Sequence, residues 1–163
     1  MGTEVRLLTE PFDAAAEIAR FTAAHPQAGG FVSFVGQVRA GAQAGTEIDD
    51  VEALELRHYE PLTLPGMAAL GAETCARWPL DGLLMLHRSG VMRTGEPIVL
   101  VAAAARHRRE AFAAADYAMD HLKSESWFWK RELVGGQWRW IEPRAEDYAD
   151  KARWAGSAGS STG

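Results

Sequence analysis

Cysteine occurs once in the 163 residues, at Cys75, which excludes an intrachain disulfide and a cysteine-built metal cluster. Positive charge is also scarce: 17 Lys and Arg against 22 Asp and Glu leave a net charge of -5, whereas a general nucleic-acid binder carries a basic footprint. No apolar run approaches the roughly 18 residues that span a bilayer. The opening "MGTEVRLLTE" lacks the charged and apolar regions of a secretory signal, and Arg6 stands where a myristoylation motif requires Ser or Thr. These absences predict a cytoplasmic protein with neither membrane nor nucleic acid among its partners. Ligand spacings such as HxxxH and CxxC are missing, so no metal is expected. A glycine-rich phosphate loop is missing too. Cys75, in "ETCARW", has no adjacent basic partner and reads as a half-buried structural thiol.

What is present is an ordinary globular composition, 47% hydrophobic and 24% charged, in a chain of one-domain length. "EVRLLTE" reads as a first strand. Residues 11–24 form an Ala-rich helix with Phe12, Ala15, Ile18, Ala19 and Thr22 on one face, ended by "HPQAGG". "FVSFVGQVR" (31–39) is a strand in which Gly36 marks a bulge or a close backbone approach. Residues 40–50 have no periodicity and few apolar anchors, so a mobile loop that orders on ligand binding is expected. "VEALELRHY" (51–59) alternates as a strand but slips phase once. A helix is expected over 65–79, with Pro65 at its first position and Pro79 as its stop. "LLMLHRSG" and "PIVLVAAAA" are apolar strands joined through "VMRTGE". A helix follows from about Arg109 to Lys123, presenting Phe112, Ala115, Met119 and Leu122. "WFWKREL" and "QWRWIE" flank Gly135-Gly136 as a hairpin. The whole reads as one α+β domain over 1–150, a mainly antiparallel sheet with packed helices, followed by a flexible tail over 151–163.

One stretch breaks a local rule. In "ARHRREAF" (105–112), Arg106, His107, Arg108 and Arg109 crowd the start of a helix, where the macrodipole favours anions and each cation costs roughly 0.3–1 kcal/mol. Either this is a solvated basic surface, or a bound anion supplies the missing charge, for which helix N–H groups and guanidinium forks are both suited. "FWKRE" (128–132) reads in isolation as a strand that packs Phe128 and Trp129 near the core and sends Lys130, Arg131 and Glu132 to water. Arg39 emerges at a sheet margin, and His58 and His87 read as hydrogen-bonded core or margin histidines.

The ordered set "FVGQVR" (34–39), "LELRHYEP" (54–61), "RWPL" (77–80), "HRSG" (87–90), "GEPIVLVAAAARHRREAF" (95–112), "MDHLKSESWFWKRE" (119–132) and "WIEPR" (140–144) resembles the catalytic (large) subunit family of molybdopterin synthase. The resemblance implies an α/β-hammerhead-type fold and a sulfurtransferase without a cofactor of its own. The sulfur would arrive as a thiocarboxylate on the C-terminal Gly-Gly of a small ubiquitin-like subunit. The substrate would be cyclic pyranopterin monophosphate, converted to the dithiolene of molybdopterin. The assembly it implies is a homodimer within a heterotetramer. It places catalysis on Lys123 and Lys130, and substrate binding on Gln37, Val38, Arg39, His107, Arg108, Arg131 and Glu132, with the His-Arg pair contributed across the dimer. Three departures stand out: Trp127 where proline is common, Gln37 where lysine is frequent, and Pro65-Gly66 inside a helix start that is usually uninterrupted. The readings that compete with an enzyme are a non-catalytic anion- or nucleotide-binding module and a dimeric scaffold; retention of both lysines favours the enzyme.

Overall fold

The computed structural model describes residues 2–39, 51–124, 127–142 and 145–156. The loop expected over 40–50 and the last part of the expected tail, 157–163, lie outside the described residues. In chain order the elements are β1 (Gly2–Leu8), α1 (Ala14–Ala24), β2 (Gly30–Gln37), β3 (Val51–His58), α2 (Glu60–Arg77), β4 (Leu80–Arg88), β5 (Gly90–Arg93), β6 (Pro97–Ala105), α3 (Arg108–Ser124), β7 (Phe128–Val134), β8 (Gln137–Ile141), α4 (Ala145–Ala152) and a 3-10 turn (Arg153–Gly156). The α+β reading holds, but the strands divide into two four-stranded sheets, β1-β4-β6-β2 and β5-β3-β7-β8. Every pairing is antiparallel except β1 with β4.

The first sheet is the centre of the molecule because both of its faces are apolar. On β4 and β6 the odd-numbered Leu83, Met85, Val101, Ala103 and Ala105 join the cluster under α2 and α3. The even-numbered Leu84, Leu86, Leu100, Ala102 and Ala104 join Phe21 of α1 on the other side. This is the period-two alternation of a strand, with both faces buried, and it explains why "LLMLH" and "IVLVAAAA" read as continuous apolar runs. On α3, Ala111, Ala114, Ala115 and Ala118 are all at most 3% exposed. Small side chains on both partners let the helix axis lie close to the sheet, so there is little room for an added methylene.

Several local expectations shift in phase. Phe112, assigned to the apolar stripe of α3, is 61% exposed; the alanine at 111 takes the inward place, and the stripe runs through 111, 114, 115, 118 and 122. On α1 the inward side carries Ala14, Ile18 and buried Phe21, while Ala15 and Ala19 face water. The helix begins at Asp13, whose carboxylate accepts from the Ala16 N–H at 3.1 Å and so fixes the start. Helix α2 begins at Glu60, with Pro61 in its first turn, and runs through Pro65; Pro65 is therefore an interior proline, not the first helical residue. Strand β5 was hidden in the "VMRTGE" connection; it leaves β4 to pair with β3 in the second sheet.

Other local readings hold as made. The register shifts between Gly36 and Gln37, where a Cβ on Gly36 would lie 2.7 Å from a Val99 methyl. The phase slip in "VEALEL" is a shift between Val51 and Ala53. Gly135 and Gly136 have φ of 54° and 75°, the two left-handed residues that a type I′ hairpin turn requires. The expected boundary at 150 is the exception: α4 crosses it, Arg153 pairs with Asp120 at 2.6 Å, and the Trp154 indole N–H donates to the same carboxylate at 2.6 Å.

The close α3–β6 contact makes a direct prediction. Ala114→Leu should destabilise the fold by about 1–3 kcal/mol through overpacking, read as a lowered urea midpoint. Ala16→Leu, on the exposed side of α1, should stay within about 0.5 kcal/mol.

Candidate active site

The expected site residues fall on three structural units. The first is the end of β2. Gln37 and Arg39 are exposed, while Val38 between them is 4% exposed and packs with Leu54, Leu56 and Met92. The Val38 N–H donates to the Glu96 carbonyl at 3.0 Å, and its own carbonyl accepts from the Gly95 N–H at 2.7 Å. Val38 thus presents no free side chain; what it does is hold Gln37 and Arg39 outward. Glu96 in turn is fixed by the Arg93 N–H and by Arg88 at 3.2 Å. The Arg93 N–H lowers the Glu96 carboxyl below its ordinary range, with Arg88 adding to the effect against the opposing cost of burial. Arg88 is 3% exposed, and an unpaired guanidinium at such a site carries a desolvation cost of several kcal/mol. The pair therefore locks the 93–96 turn to which the backbone of Val38, the residue before Arg39, is hydrogen-bonded.

The second unit is α3. His107 and Arg108 stand exposed at its start and Lys123 stands exposed in its last turn. At 1.5 Å per residue, Arg108 and Lys123 are about 22 Å apart along one helix. Both nevertheless line the same open groove of about 1100 Å³, whose wall also includes Phe34, Phe112, Met119 and Trp154. Positions 108, 112, 115, 119 and 123 share one side of a 3.6-residue helix, so the groove follows the helix lengthwise. The wall is aromatic and aliphatic in part, and Glu110, Asp116, Asp120 and Asp150 also line it, so the groove holds acidic groups as well as Arg108 and Lys123.

The third unit is β7. Lys130 Nζ lies 4.0 Å from Glu132 Oε1 on the same strand face. Arg131 points to the other face, where its Nε donates to Glu55 and its guanidinium sits 4.5 Å from the Trp138 ring centre. Burial alone would raise the Glu55 carboxyl, but hydrogen bonds from Arg131 and Arg57 outweigh it and hold the carboxyl below its ordinary range. Phe128 is packed inward as expected. Trp129 is instead 50% exposed: one residue further along a strand, it faces outward beside Tyr59 at 6.5 Å.

One chain therefore brings Lys130 and Glu132 together, and places Arg108 and Lys123 at two ends of a groove. Gln37, Arg39, His107, Lys130, Arg131 and Glu132 are not among the groove's lining residues. Sequence reasoning left two structural supports without a role. Thr63 donates its hydroxyl to the Trp127 carbonyl at 2.7 Å, and the Trp127 indole rests on Gly66, where a Cβ would come within 2.5 Å of the ring. The interior Pro65-Gly66 pair was the one available signal. Two further side chains singled out in the sequence are tied into the fold: the Cys75 thiol lies 3.1 Å from the Thr3 hydroxyl, and the His58 ring reaches Glu60 at 3.2 Å.

The family model for the MoaE protein matches residues 7–125. The chain belongs to the MoaE family. It is 42% identical over 160 residues to the molybdopterin synthase catalytic subunit of Mesorhizobium japonicum, covering 97% of each chain. The solved MoaE molybdopterin biosynthesis protein of Burkholderia ambifaria superposes with a TM-score of 0.76 at 37% identity, over 94% of this chain and 98% of that one. Molybdopterin synthase from Staphylococcus aureus superposes with a TM-score of 0.72 at 25% identity, over 83% and 95%. The activity class is thereby sulfur transfer in molybdenum cofactor biosynthesis, and the α+β architecture is the MoaE one. Among the described residues no helix is long and apolar enough to cross a membrane.

His87 makes the stability of the fold depend on pH. It is 7% exposed, its Nδ1–H donates to the Arg88 carbonyl at 2.9 Å, and its ring stacks on Phe128 at 4.0 Å. Burial pushes its pKa from 6.5 down to about 4, against a smaller opposing effect of the Arg88 carbonyl. Below pH 6.5 the unfolded chain takes up a proton that the folded chain refuses, so this stabilisation is complete above 6.5 and is lost as pH falls towards 4. Between pH 7 and pH 5 the folded state should lose on the order of 2 kcal/mol. Urea titrations at the two pH values check this, and His87→Phe should flatten the dependence across that window.

Proposed function

We propose that two copies of the chain build each active site together, and that this site moves sulfur from the C-terminal thiocarboxylate of a small ubiquitin-like subunit to cyclic pyranopterin monophosphate. The observation that carries the reading is the placement of Arg108 and Lys123: one groove and one helix side, yet about 22 Å apart in a single chain. A two-fold copy laid antiparallel along this groove would set the His107-Arg108 pair of one chain beside Lys123 of the other, twice over, as an isologous contact demands. The basic helix start then has a reason. The phosphate of the pterin supplies the negative charge that the macrodipole and the two side chains call for.

The chain's one thiol is seated against Thr3 and the α2 core cluster, so the transferred sulfur comes from the partner. A C–S bond forms on the pterin side chain as a C–O bond of the cyclic phosphate opens. Water then cleaves the acyl–sulfur bond, leaving sulfur on the pterin and a carboxylate on the partner. A second thiocarboxylate transfers its sulfur to the neighbouring carbon, whose oxygen leaves as water, to complete the dithiolene. Negative charge grows on phosphate, thiolate and carboxylate oxygens. Fixed cations stabilise that charge with little reorganisation. Lys123 and Lys130 are the catalytic pair; Arg39, Gln37, Arg131 and Glu132 frame the substrate, and Val38 holds the first two in place. We assign the assembly as a homodimer of this chain carrying one small subunit on each copy, working in the cytoplasm.

Mixing Arg108→Ala chains with Lys123→Ala chains, each inactive alone, should recover part of the sulfur transfer, because some sites regain both groups. Absence of recovery in confirmed heterodimers contradicts the shared site. Lys123→Ala should nearly abolish single-turnover product formation in a folded protein, and Lys123→Arg should not rescue it, since a guanidinium keeps the charge but cannot act as a neutral amine.

A further inference from the structure

Thr63, in the first turns of α2, is fully buried. Its hydroxyl accepts from the Tyr59 N–H at 3.1 Å and donates to the Trp127 carbonyl at 2.7 Å. One oxygen thus ties the exit of β3, the start of α2 and the entry to β7. Less than one helical turn later, Gly66 faces the Trp127 indole, and a Cβ at that position would lie 2.5 Å from both Cε2 and Nε1 of the ring. Glycine inside a helix is unfavourable relative to alanine, and Pro65 beside it removes one helical hydrogen bond. Gly66 sits where the indole lands, and Pro65 precedes it in the helix. The next residue, Phe128, is gripped from the opposite side by the stacked His87 ring. Lys130 lies two residues further, on the same strand face as Phe128.

We propose that Thr63 and Gly66 form a seat for Trp127 that sets where β7 begins, and that they are positioning residues for Lys130 in sulfur transfer. The seat acts through the backbone, since the hydroxyl holds the Trp127 carbonyl and the glycine admits the ring that fixes the same residue from its other end. This rests on the assignment of Lys130 to the reaction. A displacement of about 1 Å in a reacting group is enough to cost on the order of 100-fold in rate, which is the scale of shift an added methyl at 66 imposes on the ring or the helix.

The test is turnover of the assembled complex with thiocarboxylated small subunit and pterin substrate. Thr63→Val should lower kcat by roughly 10- to 100-fold while KM for the pterin stays within about twofold. Thr63→Ser, which keeps the hydroxyl, should restore most of the rate. The comparison for stability is Thr74→Val: Thr74 is equally buried on the same helix, but its hydroxyl donates within that helix to the Leu70 carbonyl at 2.8 Å. It should lower the melting temperature and leave kcat unchanged. Gly66→Ala is the second variant, with a kcat loss expected even where Thr63→Val fails to assemble. Unchanged kcat in folded Thr63→Val or Gly66→Ala, or an equal kcat loss in Thr74→Val, overturns the seat. Lys130→Ala run in parallel separates the two levels. If it abolishes transfer while the seat variants are normal, only the seat falls; if it turns over normally, the assignment of Lys130 falls and the seat with it.

Discussion

The contact between the alanines of α3 and the alanine run of β6 is the constraint on which the rest of the structure depends. Ala103 and Ala105 of the strand and Ala111, Ala114 and Ala118 of the helix are all fully buried in one cluster. Side chains this small bring helix and sheet close and leave the helix no alternative packing of similar density. Helix α3 is therefore a rod held along its length, and a rod fixes the separation of its ends. Arg108 and Lys123 cannot be brought together by bending it. If the two act in one reaction, a second copy has to bring them together, and the proposed two-copy site rests on that geometry.

The second sheet is attached to this frame through a smaller cluster of Val38, Leu54, Leu56 and Met92, with Phe128 packed against it. It carries the groups that must be aimed. Arg39 follows Val38, whose backbone is bonded to the turn locked by Arg88 and Glu96; Lys130 emerges beyond Phe128, which is held between His87 and the cluster. A half-buried ion pair and a buried neutral histidine thus stand behind two groups of the proposed site. Buried polar groups are expensive unless fully partnered, and here they sit where backbone position matters most.

Much of this was legible in the sequence, for identifiable reasons. The continuous apolar runs of β4 and β6 signal strands covered on both faces, and Gly135-Gly136 between alternating segments signals a tight hairpin. The cluster at 106–109 announced itself by breaking an electrostatic rule. The errors also have physical causes. Phe112 was assigned inward because hydrophobicity outranked size, whereas close packing on an alanine strand selects the smaller Ala111. Pro65 was placed at a helix start because prolines favour that position, but Pro61 already occupies the first turn and the tertiary contact with Trp127 carries the helix past Pro65. Strand β5 is four residues long, too short to show a period. The Thr63–Trp127 link was not legible at all, since it joins residues 64 positions apart through a side chain to a backbone carbonyl.

The central claim is that Arg108 of one copy faces Lys123 of another. Pulsed electron paramagnetic resonance on a Cys75→Ser background tests it directly, with one population spin-labelled only at position 109 and another only at position 123, both lining the groove, mixed to form labelled pairs. The account predicts an inter-chain distance clearly shorter than the roughly 22 Å that separates the two ends of one helix. A monomeric protein, or an inter-chain distance well beyond that length, would contradict it.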